Sequence, residues 1–78
     1  MKIIGIQEVN FKAENGDQII GTSIFVTKPI INNGEGEQFV GKYFISQKAK
    51  QNSDPFMLGD EINLYFNEYQ KVSMVKII

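Results

Sequence analysis

The sequence predicts an all-β fold, a small five-stranded antiparallel barrel of the OB type, with an SH3-like barrel or a rolled, partly open sheet as the alternatives. Two features of the composition support this class. The 78 residues contain twelve Ile and five Val but two Leu and two Ala, and branching at Cβ suits a pleated strand better than a helical turn. Nine aromatic residues, six Phe and three Tyr, also favour strands. At this length we expect one domain, residues 1–78.

Five apolar segments bounded by turn-forming residues are the predicted strands. They run over about Lys2–Lys12, Ile19–Lys28, Phe39–Ser46, Glu61–Phe66 and Val72–Ile78. Between the first two, Asn15-Gly16 predicts a two-residue type I′ turn, because both central residues of that turn need positive φ. This turn places Phe11 opposite Ile20 across the hairpin.

The first strand contains two apolar stretches that are out of phase with each other. With Phe11 on the core face, unbroken alternation turns Ile4 and Ile6 to the opposite face. One extra residue corrects the phase, so we predict a β-bulge at Gln7-Glu8 that returns both isoleucines to the interior. A strand bent in this way can pass from one side of a small closed barrel to the other.

The longer connections differ in character. Ile30–Glu37 has two glycines and alternating acids, and we expect a mobile flap there. Gln47–Ser53 is polar and has no helical stripe. Asp54-Pro55 resembles a helix N-cap followed by Pro at the first helical position, which predicts one short helical turn. Phe56 and Leu58 in this turn are expected to close one end of the barrel.

The last two strands form a second predicted hairpin. Alternation in the fourth strand turns Leu64 and Phe66 toward the core. The connection to the fifth strand fits a type I turn followed by a left-handed residue at Gln70. This register places Phe66 opposite Val72 and Leu64 opposite Met74. Gln70 occupies a position that favours Gly, so we predict about 1 kcal/mol of backbone strain there.

The last third of the chain resembles a known family. Phe56–Asp60 leads into the alternating strand Glu61–Asn67, and a turn then leads to Lys71-Val72. This stretch looks like the closing hairpin of small phage and plasmid single-stranded-DNA-binding proteins of the filamentous-phage gene V type. It is also similar to uncharacterised small proteins of bacterial mobile elements. The resemblance implies an OB-like fold and binding of single-stranded nucleic acid. That family uses arginines against phosphate, and this chain has none.

The residue types that are absent exclude several kinds of site. The chain has no Cys, His, Trp or Arg, and eight Lys against nine acidic residues give a net charge of −1. Without Cys and His there is no zinc finger, no thiol or imidazole nucleophile, no Ser-His-Asp triad and no disulfide framework. Without Arg there is no guanidinium fork for phosphate or guanine.

The remaining polar residues offer little for catalysis. Asp60-Glu61 is the only adjacent acidic pair, and neighbours on a strand point to opposite faces. The serines have no imidazole to activate them. The spacing of Asp54 and Asp60 fits no calcium-binding loop. We therefore expect a protein that is not an enzyme and that uses neither a cofactor nor a metal.

No targeting or membrane segment is predicted. The apolar run after Met1 breaks at Gln7-Glu8, which is too short for a secretory core. No window reaches the ~20 apolar residues of a membrane span. We expect a soluble cytoplasmic protein.

A barrel that binds single-stranded nucleic acid needs aromatic platforms and lysines along a groove. Phe25 lies opposite to the core face in the hairpin register, and Tyr43 on the neighbouring strand is expected near it. Between Gln38 and Ser53 every charged residue is a lysine, which can give a neutral protein a basic side. The predicted nucleic-acid-binding residues are Phe25, Lys28, Lys42, Tyr43, Lys48 and Tyr69.

A second class of function fits the same residues. The aromatic face of Phe25 and Tyr43 also suits a homodimer or a noncatalytic module that docks another protein. Tyr69 is then a solvated loop tip, and the lysines serve solubility. The near-neutral net charge favours this alternative, whereas the barrel type and the resemblance favour nucleic acid.

Overall fold

The computed structural model describes residues 1–78 and has five antiparallel strands in two sheets plus one short helix. The elements are β1 (Lys2–Lys12), β2 (Gln18–Pro29), β3 (Glu37–Ser46), the helix α1 (Gln47–Gln51), β4 (Ile62–Phe66) and β5 (Val72–Ile77). The first sheet has the order β1-β2-β3, and the second is the β4-β5 hairpin. The predicted five antiparallel strands are therefore confirmed. None of the helical structure has the length and apolar character needed to cross a bilayer.

The core lies between one face of the first sheet, the β4-β5 hairpin and α1. Its buried apolar side chains are Ile3, Ile24, Val26, Ile45, Ala49, Ile62, Val72 and Val75. Full burial of one Ile or Val side chain contributes about 1.5–3 kcal/mol. This cluster is therefore the main source of the free energy that keeps the chain folded.

Two serines fix α1 against β5. Ser46 is the N-cap of α1, and its hydroxyl oxygen accepts the N–H of Ala49 at 3.1 Å. The Ser53 hydroxyl donates to the carbonyl of Ala49 at 2.6 Å and accepts the N–H of Val75 at 2.7 Å. These bonds hold the buried Ala49 on the core, which is why a segment without an apolar stripe is helical.

The predicted helical turn at Asp54-Pro55 is wrong. The Asp54 carboxylate accepts the N–H of Ile77 at 2.9 Å instead of capping a helix, and the one helix lies earlier, at α1. Phe56 packs against the core, whereas Leu58, expected beside it at one end of a barrel, is exposed in the turn before β4. The carboxylate thus ties this irregular segment to β5.

The two sheets join at the start of β1. The Ile62 N–H donates to the carbonyl of Met1 at 2.7 Å, and the Met1 ammonium donates to the carbonyl of Ile62 at 3.1 Å. The Ile3 N–H donates to the carbonyl of Asp60 at 3.0 Å. No strand pairing joins β3 to β5, so the strands do not close into a barrel.

The turn between β1 and β2 has a three-residue loop. The Ala13 N–H donates to the carbonyl of Asp17 at 2.7 Å, and the Gly16 N–H donates to the carbonyl of Ala13 at 2.9 Å. Gly16 has a φ of 94°, whereas the φ of Asn15 is not positive. This geometry is a type I turn followed by a glycine bulge, not the predicted type I′ turn. The Asn15 side chain supports it by accepting the Asp17 N–H at 3.0 Å.

This turn shifts the register of β1 and β2 by one residue. Phe11 pairs with Ile19 rather than with Ile20. The irregularity in β1 lies between Ile3 and Gly5, so the bulge predicted at Gln7-Glu8 is also misplaced. Both errors have one cause, because the position of the bulge is inferred from the register that the turn sets.

The interior side chain at the start of β1 is Ile3. Ile3 is fully buried, whereas Ile4, Ile6 and Phe11 are 50%, 38% and 54% exposed. The expectation that Ile4, Ile6 and Phe11 lie together in the interior is therefore wrong. The short β4-β5 hairpin covers the first sheet only around Ile3 and Ile24, so the far part of the β1-β2 hairpin has no covering layer.

In the second sheet the predicted register is confirmed at one end. Phe66 pairs with Val72 as predicted. The register then shifts, and Leu64 faces Val75 rather than Met74. Leu64 packs against the core, while Phe66 is half exposed at its edge.

Gln70 adopts the predicted left-handed conformation, with a φ of 60°. Replacing it by Gly removes about 1–2 kcal/mol of steric strain but adds about 0.5–1 kcal/mol of chain entropy to the unfolded state. We expect Gln70→Gly to raise the melting temperature by about 3 °C in thermal unfolding. The control Glu68→Gly, in the same turn but without a positive φ, should lower it. A lower melting temperature for Gln70→Gly contradicts the strain assigned to this turn.

Candidate functional site

The face of the first sheet that points away from the core carries apolar and aromatic side chains. The strand register places Phe25 beside Lys42 and Ser23 beside Phe44, across β2 and β3. We call this surface the outer face; its members are Val9, Phe11, Ile19, Ser23, Phe25, Lys42 and Phe44. Phe44 is 42% exposed, so no other part of the chain covers this face.

Glycines on neighbouring strands let two of these rings lie against the backbone. A Cβ on Gly5 would lie 3.0 Å from Cδ2 of Phe25, and a Cβ on Gly21 would lie 2.5 Å from Cζ of Phe44. Each ring thus covers the space that a side chain on the next strand would take. The Lys42 ammonium lies 5.6 Å from the centroid of the Phe25 ring, within cation–π range. The outer face therefore combines aromatic surface with a positive charge.

A groove of about 450 Å³ lies between β3 and the β4-β5 hairpin, where the two sheets do not pair. We call it the β3 groove; its walls include Lys42, Tyr43, Phe44, Phe66, Gln70 and Lys71. The rings of Tyr43 and Phe66 have centroids 5.9 Å apart and are tilted by 59°. Two lysines and no Asp or Glu line the groove, so its charge is positive.

The outer face and the β3 groove meet at β3, because Lys42 and Phe44 line both. A second hollow of about 210 Å³ contains Lys48 and shares Ser46 and Val72 with the groove. No acidic residue lines this hollow either. Three lysines therefore line adjoining depressions on one side of the molecule; they are Lys42, Lys48 and Lys71.

The structure brings together only some of the predicted binding residues. Phe25 and Lys42 lie side by side on the outer face, as the register predicts. Tyr43 lies on the opposite side of β3, where it packs against the core and Phe66. The expectation that Tyr43 stands beside Phe25 is therefore wrong, because successive side chains of a strand point to opposite faces. Tyr43 reaches this site only as a wall of the β3 groove.

The other three predicted residues are spread over the molecule. Lys48 is exposed on α1 and lines the second hollow. Tyr69 is exposed at the tip of the β4-β5 hairpin. Lys28 is exposed opposite Gln38 at the far end of β2 and lines none of the three depressions. A binding role for each of these residues stays a prediction.

Four aromatic or charged members of the outer face and the β3 groove are missed by reasoning from the sequence; they are Phe11, Phe44, Phe66 and Lys71. For Phe44 the signal is present, since alternation alone puts it on the same face of the strand as Lys42. Phe66 and Lys71 reach the site only because β3 and β5 stay apart. No local pattern in the sequence reveals that gap.

Several acidic side chains are engaged elsewhere. Glu8 lies 3.8 Å from the Lys50 ammonium, and Asp54 lies 3.7 Å from the Lys76 ammonium. No group of three Asp and Glu side chains is arranged to hold a metal ion. No carboxylate lies among the walls of the β3 groove, so its lysine charges are not neutralised there.

Comparison with models of protein families, with curated protein sequences and with solved structures finds no match for this chain.

The contact between Gly21 and the Phe44 ring makes Gly21 sensitive to substitution. In Gly21→Ala the new Cβ would lie 2.5 Å from both the Ile45 carbonyl oxygen and Cζ of Phe44, so β2 and β3 would have to separate. We expect a loss of about 1–3 kcal/mol of stability in urea unfolding. The matched control is Gly41→Ala, where the nearest atom is Cε2 of Tyr43 at 3.8 Å and little change is expected. Equal effects of the two substitutions would contradict this packing of Phe44.

Proposed function

We propose that this chain is a small noncatalytic cytoplasmic protein that binds single-stranded nucleic acid across β3. One observation carries the proposal: the outer face and the β3 groove are continuous at Lys42 and Phe44, and no acidic side chain lines either. Exposed aromatic rings combined with lysines are the features by which proteins hold single strands.

In this proposal, bases stack on the rings of the outer face, foremost the exposed Phe44 and the half-buried Phe25. Stacking on an aromatic side chain contributes about 1–3 kcal/mol per base and tolerates any base, because every base has a π-face. Lys42 and Lys71 contact phosphates on the two sides of β3. Lysine is a point charge without the geometry of the guanidinium fork, so binding is expected to have little sequence preference and to depend on salt.

We also propose that the fold is an OB-type barrel left open between β3 and β5. The five antiparallel strands support this arrangement, since the OB fold is a five-stranded and partly open barrel. The antiparallel bridge between Lys2 and Glu61 brings β1 beside β4, a further neighbour pair of such a barrel. The resemblance of residues 56–78 to the closing hairpin of gene V-type proteins supports the same proposal.

Docking of a protein on the outer face is the second candidate function. It is favoured by the aliphatic members Val9 and Ile19, which offer no π-face to a base. The two candidates differ in their response to a nucleic acid, because only the first requires the lysines of the β3 groove.

The experiment that tests the first candidate is fluorescence anisotropy with a labelled single-stranded oligonucleotide at several salt concentrations. We expect Phe44→Ala to weaken binding about 5- to 100-fold through lost stacking. Lys42→Gln should weaken binding and reduce the slope of log K against log salt by about 0.7 through the loss of one phosphate contact.

The controls are exposed side chains outside this surface. Leu58→Ala tests the loss of an exposed apolar group, and Lys76→Gln tests the loss of one charge; neither residue lines the groove or the outer face. Both should leave the affinity within about twofold of the original. No binding at low salt, or equal losses in the variants and the controls, would refute nucleic-acid binding at this surface.

A further inference from the structure

The edge of β1 that faces away from β2 has no strand partner over Gly5–Lys12. The contacts of β1 with the second sheet end at Ile3, which bonds to Asp60 and Gly59 through its N–H and its carbonyl. A free edge is a template for pairing, because its main-chain N–H and C=O groups lack partners within the chain.

The direction of these polar groups follows from the turn. The Ala13 N–H points toward β2, because it donates to the Asp17 carbonyl. Main-chain N–H and C=O groups reverse direction at each residue of a strand, and the register is unbroken down to Gly5. The polar groups of Glu8, Asn10 and Lys12 therefore point out of the free edge.

The side chains along this edge differ between the two faces of the sheet: Val9 and Phe11 are apolar, whereas Glu8, Asn10 and Lys12 on the other face are charged or polar. Val9 and Phe11 lie on the outer face, and Ile6 and Ile20 lie on the opposite face, where Ile20 is 42% exposed. Exposed apolar residues concentrated on one hairpin indicate a surface that another molecule covers.

We propose that the free edge of β1 pairs with the same edge of a second copy of this chain, antiparallel about a two-fold axis at Asn10. Glu8 of each copy then faces Lys12 of the partner subunit, and Val9 faces Phe11 of the partner subunit. Such an interface is self-complementary, as a two-fold contact must be. The two three-stranded sheets become one six-stranded sheet.

The charges select this register among those that the hydrogen-bond pattern allows. An axis at Glu8 would place the two Glu8 carboxylates opposite each other, and like charges directly opposite each other destabilise a strand pair. An axis at Phe11 would place Lys12 opposite Asn10 and Glu8 opposite the turn that follows β1, so it forms no pair of opposite charges. An axis at Val9 leaves Glu8 and Lys12 facing uncharged side chains. Only the axis at Asn10 places Glu8 opposite Lys12, and symmetry repeats this pair on the other side of the axis.

This inference goes beyond the proposed function and does not rest on it. Pairing of the two β1 edges joins the outer faces of the two copies into one continuous surface, in which Val9 and Phe11 alternate across the axis. A dimer of this kind forms without any ligand, so its test needs no nucleic acid.

Sedimentation equilibrium of the full chain tests the proposal through the mass in solution. We expect a concentration-dependent species of twice the 8.9 kDa chain mass. Lys12→Glu places like charges opposite each other at two points and should raise the dissociation constant of the dimer at least about tenfold. The charge exchange Glu8→Lys with Lys12→Glu restores opposite pairs and should recover dimer relative to Lys12→Glu alone. Both variants also carry Lys50→Gln, because the Lys50 ammonium lies 3.8 Å from the Glu8 carboxylate of the same chain. Lys48→Glu, a charge reversal on α1, is the matched control and should leave the dimer unchanged.

Hydrogen exchange on the unmodified chain locates the interface even if a variant fails to fold. The amides of Glu8, Asn10 and Lys12 should exchange quickly in dilute solution and slowly in concentrated solution. Those of Val9 and Phe11 should be protected at both concentrations, because they point toward β2. A chain that is monomeric at every concentration, or a dimer in which the three edge amides stay unprotected, would overturn the proposal.

Discussion

The shortness of the covering layer is the constraint on which this structure depends. β1, β2 and β3 have 11, 12 and 10 residues, whereas β4 and β5, which cover them, have five and six. The cover buries one face of the first sheet near Ile24 and Ile45, and it leaves the other face and the far part of the hairpin bare. Both the outer face and the free edge of β1 follow from this difference in length.

The class of fold was predictable because it depends on many residues at once. β-branched and aromatic side chains dominate the apolar content, and alternation places each strand within two residues of its observed ends. Alternation also separates the two faces of β3 correctly, with Lys42 and Phe44 on one face and Tyr43 on the other. It cannot tell which face is covered, because that depends on where the second sheet packs.

The register was not predictable because it depends on a single turn. Asn15-Gly16 is compatible with two turn types that differ by one residue, and the bond from Asp17 to the Asn15 side chain belongs to the one observed. This shift of one residue changes which side chains of β1 lie opposite which side chains of β2, and the inferred position of the bulge changes with it. The short α1 was missed for a similar reason, since it depends on two serine hydroxyls rather than on a pattern of apolar residues.

The junction between Met1 and Ile62 has a consequence for the order of folding. The two residues are 61 positions apart, whereas the turns of the β1-β2-β3 meander join strands that are neighbours in sequence. Contacts between distant residues must overcome the entropy of closing a long loop before they stabilise anything, so nearby pairings form sooner. The meander is thus expected to assemble first, while its core-facing side chains are still exposed to water. The β3 groove comes into existence only when the C-terminal hairpin docks.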